Sequence, residues 1–166
     1  MSYCFEDSCV CNCNSILPDF DSNIKKETNF NLSLHHLCHS NIGWFSDKSI
    51  CDDHFLADWI VNKTLGVYFL WHKDDYCPTH ELFHMKCLYV GKGLVLRRII
   101  NHFLVKDFSA EMLVYFTYLE MPNRQAKYVE QLILDIYNIP HNHSEKTGTE
   151  KLCMYFTQTE VDFGGD

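Results

Sequence analysis

Two phenols stand near the middle of the chain, in Gly66-Val67-Tyr68 and in Tyr89-Val90-Gly91-Lys92-Gly93. Arg97 and Arg98 follow, His102 lies four residues past Arg98, and Glu130 stands further on. On a helix, positions four apart share a face, so the Arg98 guanidinium and the His102 imidazole would act at one place. This set of groups can cut a phosphodiester bond with one metal ion. Such hydrolysis needs a base for the water, positive charge on the phosphoryl oxygens, a metal or acid for the leaving oxygen, and rigid positioning. A phenol titrates at about pH 10. Tyr68 or Tyr89 therefore serves as a base only where cations lower its pKa, and Lys92 and Arg98 are the candidates. Glu130 offers a hard oxygen ligand suited to Mg2+, which keeps most of its waters and often needs only one or two protein carboxylates. Taken singly, each residue has a plainer use: a strand Tyr packs across the sheet, Gly-Lys-Gly makes a turn, and Arg98 and Glu130 decorate helices. Their order and spacing favour the site.

The elements that would position these groups follow from pattern. Leu65–Trp71 is an apolar, aromatic run and reads as a strand, as does Met85–Gly91. The polar interval His72–His84 reads as a connection, so the two runs form a hairpin with a long loop. Leu94–Val105 reads as an amphipathic helix, with Leu96, Ile99, Ile100, Phe103 and Leu104 on one arc and Arg97, Arg98, Asn101 and His102 on the other. Met112–Leu119 reads as a third strand, rich in β-branched and aromatic residues. Pro122 suits a first helical turn. The stripe Ala126, Val129, Ile133, Ile136, Tyr137 carries that helix on until Pro140 stops it. Leu152–Thr157 offers one more short strand. The order β-β-α-β-α predicts an α+β fold, with a small three-stranded antiparallel sheet flanked by helices.

Composition sets the outer limits. A chain of 166 residues, 46% of them apolar, can bury a real core. No run approaches the ~20 apolar residues of a membrane span, and Met1–Asp7 lacks the order of a secretory signal. The expectation is a cytoplasmic or nuclear protein with no membrane partner, or one delivered into a target cell by a specialised secretion route. Formal charge is −8, which argues against strong non-specific nucleic-acid binding. The charge is uneven, however: residues 1–60 carry nine acids against three bases, and residues 61–166 thirteen against eleven. Lys92, Arg97, Arg98 and Lys106 form a local basic patch, compatible with a nucleic-acid substrate.

With these landmarks in this order, the chain resembles the GIY-YIG nuclease superfamily over roughly residues 64–148. Gly66-Val67-Tyr68 matches the first half of that name and Tyr89-Val90-Gly91 the second. Arg98 with His102, then Glu130, then Asn142 twelve residues later with Pro140 before it, match the rest. The interval from Tyr68 to Tyr89 is longer than is common in the family. The spacing to the arginine leaves Arg97 as a rival of Arg98. The resemblance implies that Tyr68 is the general base and that Tyr89 holds or assists the water. It further implies that Arg98 binds the scissile phosphate and that Glu130 holds a single Mg2+ or Mn2+ ion. Lys92 would lie near the phosphate, with Arg97 and Lys106 as further substrate contacts, and Gly91 and Asn142 would be structural. The implied partner is DNA, duplex or branched. The setting is a repair or recombination nuclease, a restriction or mobile-element enzyme, or a DNase toxin or effector that needs an inhibitory immunity protein. The alternative is a catalytically inactive module of the same fold that binds nucleic acid or protein.

Residues 1–62 read as an irregular to helical, Cys-rich, acidic extension, and 63–166 as the nuclease-like domain. Short helices are expected within 31–45, ended near Gly43, and within 49–62, capped by Asp52 or Asp53 with Phe55, Leu56, Trp59 and Ile60 inward. Nine cysteines is an odd number, and with no secretory signal reduced, buried thiols are favoured over a disulfide framework. Cys9-Val-Cys-Asn-Cys13, His35-His-Leu-Cys-His39 and Cys51-x-x-His54 invite a zinc reading. The CxCxC spacing is tighter than that of common zinc knuckles, so packing against the nuclease domain is preferred. The acidic excess would cover the basic patch and restrain activity.

Overall fold

A computed structural model of the chain describes residues 21–24, 32–45, 60–78, 80–105, 113–144 and 146–163. The expected helix at 49–62 therefore falls almost wholly outside the described residues, as do Cys4–Cys13, Cys51–His54 and Lys106. In chain order the elements are α1 (Leu34–His39), β1 (Gly43–Phe45), β2 (Leu65–Cys77), β3 (Leu82–Leu94), α2 (Val95–Val105), β4 (Val114–Glu120), α3 (Asn123–Ile136), β5 (Cys153–Thr157) and α4 (Gln158–Phe163).

The class is α+β, but the sheet has five strands rather than three, in the order β1-β4-β2-β3-β5 with every pair antiparallel. One added strand is β5, on the free edge of β3. The other is β1, cut from the segment expected to be helical up to Gly43. Ser33 caps α1 by accepting from the His36 N–H at 3.1 Å, and Asn41 then takes a left-handed backbone with φ 49°. The chain leaves the helix there and lays Gly43-Trp44-Phe45 along β4. Phe45 is fully buried, edge-on to Phe103 at 5.5 Å and stacked near Phe116.

A second correction concerns the hairpin. The interval His72–His84 is not a long loop: β2 runs on to Cys77 and β3 starts at Leu82. Its polarity has a simple cause. Pairing of β2 with β4 ends at Trp71↔Tyr115, so beyond it β2 is the edge of the sheet, and Lys73–Tyr76 meet water while the β3 arm pairs on its other side with β5. Their polar side chains stabilise the extension across strands. Lys86 Nζ lies 2.6 Å from Asp74 Oδ2, and Lys73 Nζ sits 4.4 Å from the Phe83 ring centroid.

Alternation along the strands divides the core into two layers. Val67, Phe69 and Trp71 of β2 point to one face, with Met85, Cys87 and Val90 of β3. Leu34, Leu37 and Cys38 of α1, and Ala126, Val129, Ile133 and Leu134 of α3, cover that face. Tyr68 and Leu70 point the other way with Phe116 and Tyr118, under Val95, Leu96 and Ile99 of α2. Residues 34–45 thus share the sheet and core of the region after residue 63. Among the described residues Cys38, Cys77, Cys87 and Cys153 are buried and form no disulfide, and burial holds the Cys38 and Cys87 thiols protonated.

A side-chain hydrogen bond ties α1 to α4. His39 Nδ1 donates to Glu160 Oε1 at 2.7 Å, and Glu160 Oε2 accepts from the Thr157 N–H at 2.7 Å. Burial alone would raise the Glu160 pKa, but these hydrogen bonds outweigh it and hold the carboxyl down to about 2. A folded pKa below the unfolded value gives stability that is present above about pH 4.3 and lost as pH falls toward 2. Glu160→Gln is therefore expected to be roughly 1–3 kcal/mol less stable than wild type at pH 7, with the gap closing at pH 2.5. Urea unfolding of both proteins at the two pH values checks this; a gap independent of pH would contradict it.

Candidate active site

The candidate residues come from five places in the chain, and a β-bulge decides where one of them points. Tyr68 pairs with Gly91 and Leu70 with Tyr89, but Trp71 pairs with Cys87, which leaves Leu88 as an extra residue in β3. A bulge of this kind shifts the alternation by one and re-aims the side chains beyond it. Cys87 therefore faces α3, Leu88 and Tyr89 both face α2, and Val90 returns to the α3 side. The bulge sets Tyr89 on the face of Tyr68, at 6.0 Å between ring centroids. His102 of α2 closes the group, its ring 4.2 Å from Tyr89 and 6.0 Å from Tyr68.

Gly91 makes the Tyr68 position available. A Cβ on Gly91 would lie 2.6 Å from Tyr68 Cζ, closer still to the hydroxyl, and 2.7 Å from Tyr89 Cε1. Tyr68 is wholly buried, and its hydroxyl makes no hydrogen bond of good geometry among the described residues. Burial raises its pKa far above that of a free phenol; the neighbouring Tyr89 and Glu130 add to the rise, and Arg98 opposes it. The pKa depression expected for the base is thus absent, because desolvation outweighs the one cation acting on Tyr68. The Tyr89 pKa is also raised, first by burial and then by the Glu130 charge, although Tyr89 is only partly buried.

Val90, between Tyr89 and Gly91, is held from outside the sheet. Its N–H donates to Asn142 Oδ1 at 3.0 Å and its carbonyl accepts from Asn142 Nδ2 at 2.9 Å. The buried Asn142 amide stands in for a neighbouring strand. The His141 N–H adds a bond to the Leu88 carbonyl at 3.0 Å.

Lys92 faces the α3 side, where its Nζ is paired with Glu130 Oε2. Neither Arg97 nor Arg98 has an ion partner among the described residues. Both are exposed and, with Gly93, Leu94 and Asn101, line an open depression of about 400 Å³. Asn101 carries no role in the sequence reading, although it lies on the polar arc of Arg97 and Arg98. The Lys92–Glu130 pair was not legible either, since the bulge also sets the direction of Lys92.

Among the described residues, no three His, Cys, Asp or Glu side chains gather as a metal cage. A Mg2+ or Mn2+ ion that keeps its waters fits the donor chemistry nonetheless, because one carboxylate suffices. The Glu130 side chain is 16% exposed and close enough to both phenols to act on their charge. Comparison of the chain with protein-family models, with curated proteins and with solved structures finds no match.

Proposed function

We propose that the chain is a metal-dependent endonuclease that hydrolyses DNA phosphodiester bonds in the manner of the GIY-YIG superfamily. The observation that carries this reading is the meeting of Tyr68, Tyr89 and His102 at one end of the β2–β3 hairpin, with Arg98 and Glu130 in electrostatic reach. Arg98, beside Arg97 and Asn101 on the open depression, would take the scissile phosphate and stabilise charge building on its oxygens. Tyr89, on the more open side with its ring tilted against that of His102, would position the attacking water. Tyr68, deeper, would take the proton. Burial opposes its ionisation, so it needs more positive charge than Arg98 alone supplies. A divalent ion on Glu130 would supply that charge and stabilise the leaving oxygen. Lys92, fixed on the same carboxylate, keeps a second cation at this end of the sheet.

A second reading draws on the same ion pair. Lys92 occupies one oxygen of Glu130 and Tyr68 holds its proton, which suits a module that binds nucleic acid without turnover. Supercoiled plasmid with Mg2+ or Mn2+ separates the two. Wild type is expected to nick it, while Glu130→Ala and Arg98→Ala fall by about 10²–10³-fold. Equal nicking by all three would reject the assignment. No nicking by wild type, with DNA retention that Arg98→Ala loses, would favour the binding module.

A further inference from the structure

Away from that site, the outer edge of β3 changes partners, and the change leaves a cavity. Below the bulge, β3 is paired with β5, and the Cys87 N–H still reaches the Leu152 carbonyl at 2.9 Å. Above it, β3 is held by His141 and Asn142 instead. The chain between these two partners is folded back on the end of α3. Tyr137 bridges Glu150, and the Thr147 and Gly148 N–H groups both donate to the Leu134 carbonyl at 3.1 and 2.9 Å. Gly148 permits this return, since a Cβ there would meet the Ile136 carbonyl oxygen at 2.6 Å. The fork borders an open cleft of about 460 Å³, within the usual size of a small-ligand pocket.

Its lining has one sign of charge. Lys86, Lys146 and Lys151 border it, with Asn138 and Thr149 as neutral polar groups, and among the described residues no Asp or Glu lines it. Lys86 is neutralised by Asp74 at 2.6 Å. Lys146 is pre-oriented by the Ile139 carbonyl, which accepts from its Nζ at 3.2 Å, and neither Lys146 nor Lys151 has an acidic partner among the described residues.

We infer that this cavity is an anion site that takes a phosphate group, with Lys146 and Lys151 as its charged donors and Asn138 and Thr149 as its neutral ones. Ammonium groups bind phosphate as point charges, and charge-assisted hydrogen bonds are the strong class. The site shares no lining residue with the Arg97–Arg98 depression, so it stands whether or not the chain cleaves DNA. The phosphate has two sources, a small free ligand or a nucleic-acid backbone. Along β3, Lys86 and Lys92 are roughly 20 Å apart at the usual strand rise, within the span of a short duplex.

Inorganic pyrophosphate is the probe, titrated calorimetrically into the full chain without divalent metal. Wild type is expected to bind it saturably. Lys146→Ala with Lys151→Ala should weaken binding about tenfold or more, and Lys146→Arg with Lys151→Arg should keep most of it. Arg97→Ala with Arg98→Ala, which removes the charge of the other candidate phosphate site, should still bind it saturably. No saturable binding by wild type, or binding lost in the arginine variant and kept in the alanine lysine variant, overturns the site. Loss in the charge-keeping variant as well would show a packing effect and overturn it too. A short DNA duplex that displaces pyrophosphate from wild type and from the Arg97/Arg98 variant supports the site with a backbone phosphate as its ligand. Lack of displacement supports it with a small free phosphate compound.

Discussion

Asn142→Leu is expected to destabilise the protein by about 2–6 kcal/mol, the largest stability change of any substitution considered for this chain. Leucine keeps much of the volume and removes both hydrogen-bonding atoms. The Val90 N–H and carbonyl, now 3.0 and 2.9 Å from the Asn142 amide, are then left buried without partners. Each orphaned group costs about 1–3 kcal/mol. Total stabilities are about 5–15 kcal/mol, so the variant approaches the limit of folding. Asn142→Asp separates the two bonds: its carboxylate still accepts from the N–H but faces the carbonyl oxygen. It should lie between wild type and leucine, and should gain ground on acidification as the carboxyl takes a proton and can donate. Urea unfolding followed by circular dichroism measures all three proteins. A leucine variant within about 0.5 kcal/mol of wild type would show that the amide carries no weight.

Gly91→Ala is expected to cost about 1–3 kcal/mol and to remove plasmid nicking. The added methyl meets Tyr68 Cζ at 2.6 Å, and the hydroxyl nearer still. Tyr68 cannot swing aside, since it is buried in one cluster with Leu70, Val95, Ile99 and Phe116. Something must shift, and both phenols line the displaced space. Tyr68→Phe in the same chain removes the hydroxyl contact but leaves the Cζ contact, so it should recover part of the loss. A double-mutant cycle reads that recovery as coupling between the two positions. Additive effects of the two substitutions would mean that the Tyr68 hydroxyl does not rest on Gly91. Activity should stay lost in the double variant even where stability returns, because the proposed base is gone.

Both effects concern a segment whose sequence already drew notice, and the contrast shows what pattern can carry. The helices α2 and α3 were legible because one face of each is apolar at helical spacing, and that face is the one that packs on the sheet. The strand cores Leu65–Trp71 and Met85–Gly91 were legible because burial on both faces demands continuous apolar residues. The arms of the hairpin were not, since the β2 arm is an edge strand open to water and Lys73–Tyr76 have the composition of a loop. Strand β1 was hidden for a different reason. Three residues hold no period, and Gly43-Trp44-Phe45 extends only because β4 offers a free edge.

By itself, then, the amino-acid sequence determined which residue types are available for chemistry, the α+β class and the helices and strand cores that carry them, since these depend on local composition and period. Only the tertiary structure decided which way the groups face. One extra residue at Leu88 turns Tyr89 toward Tyr68 and sends Lys92 to Glu130, and no local pattern marks it. The position of that bulge is set by competition between β2 on one side and β5 with Asn142 on the other. Those partners are distant in the chain, so the choice between them is an energy of packing and pairing that neighbouring residues cannot express.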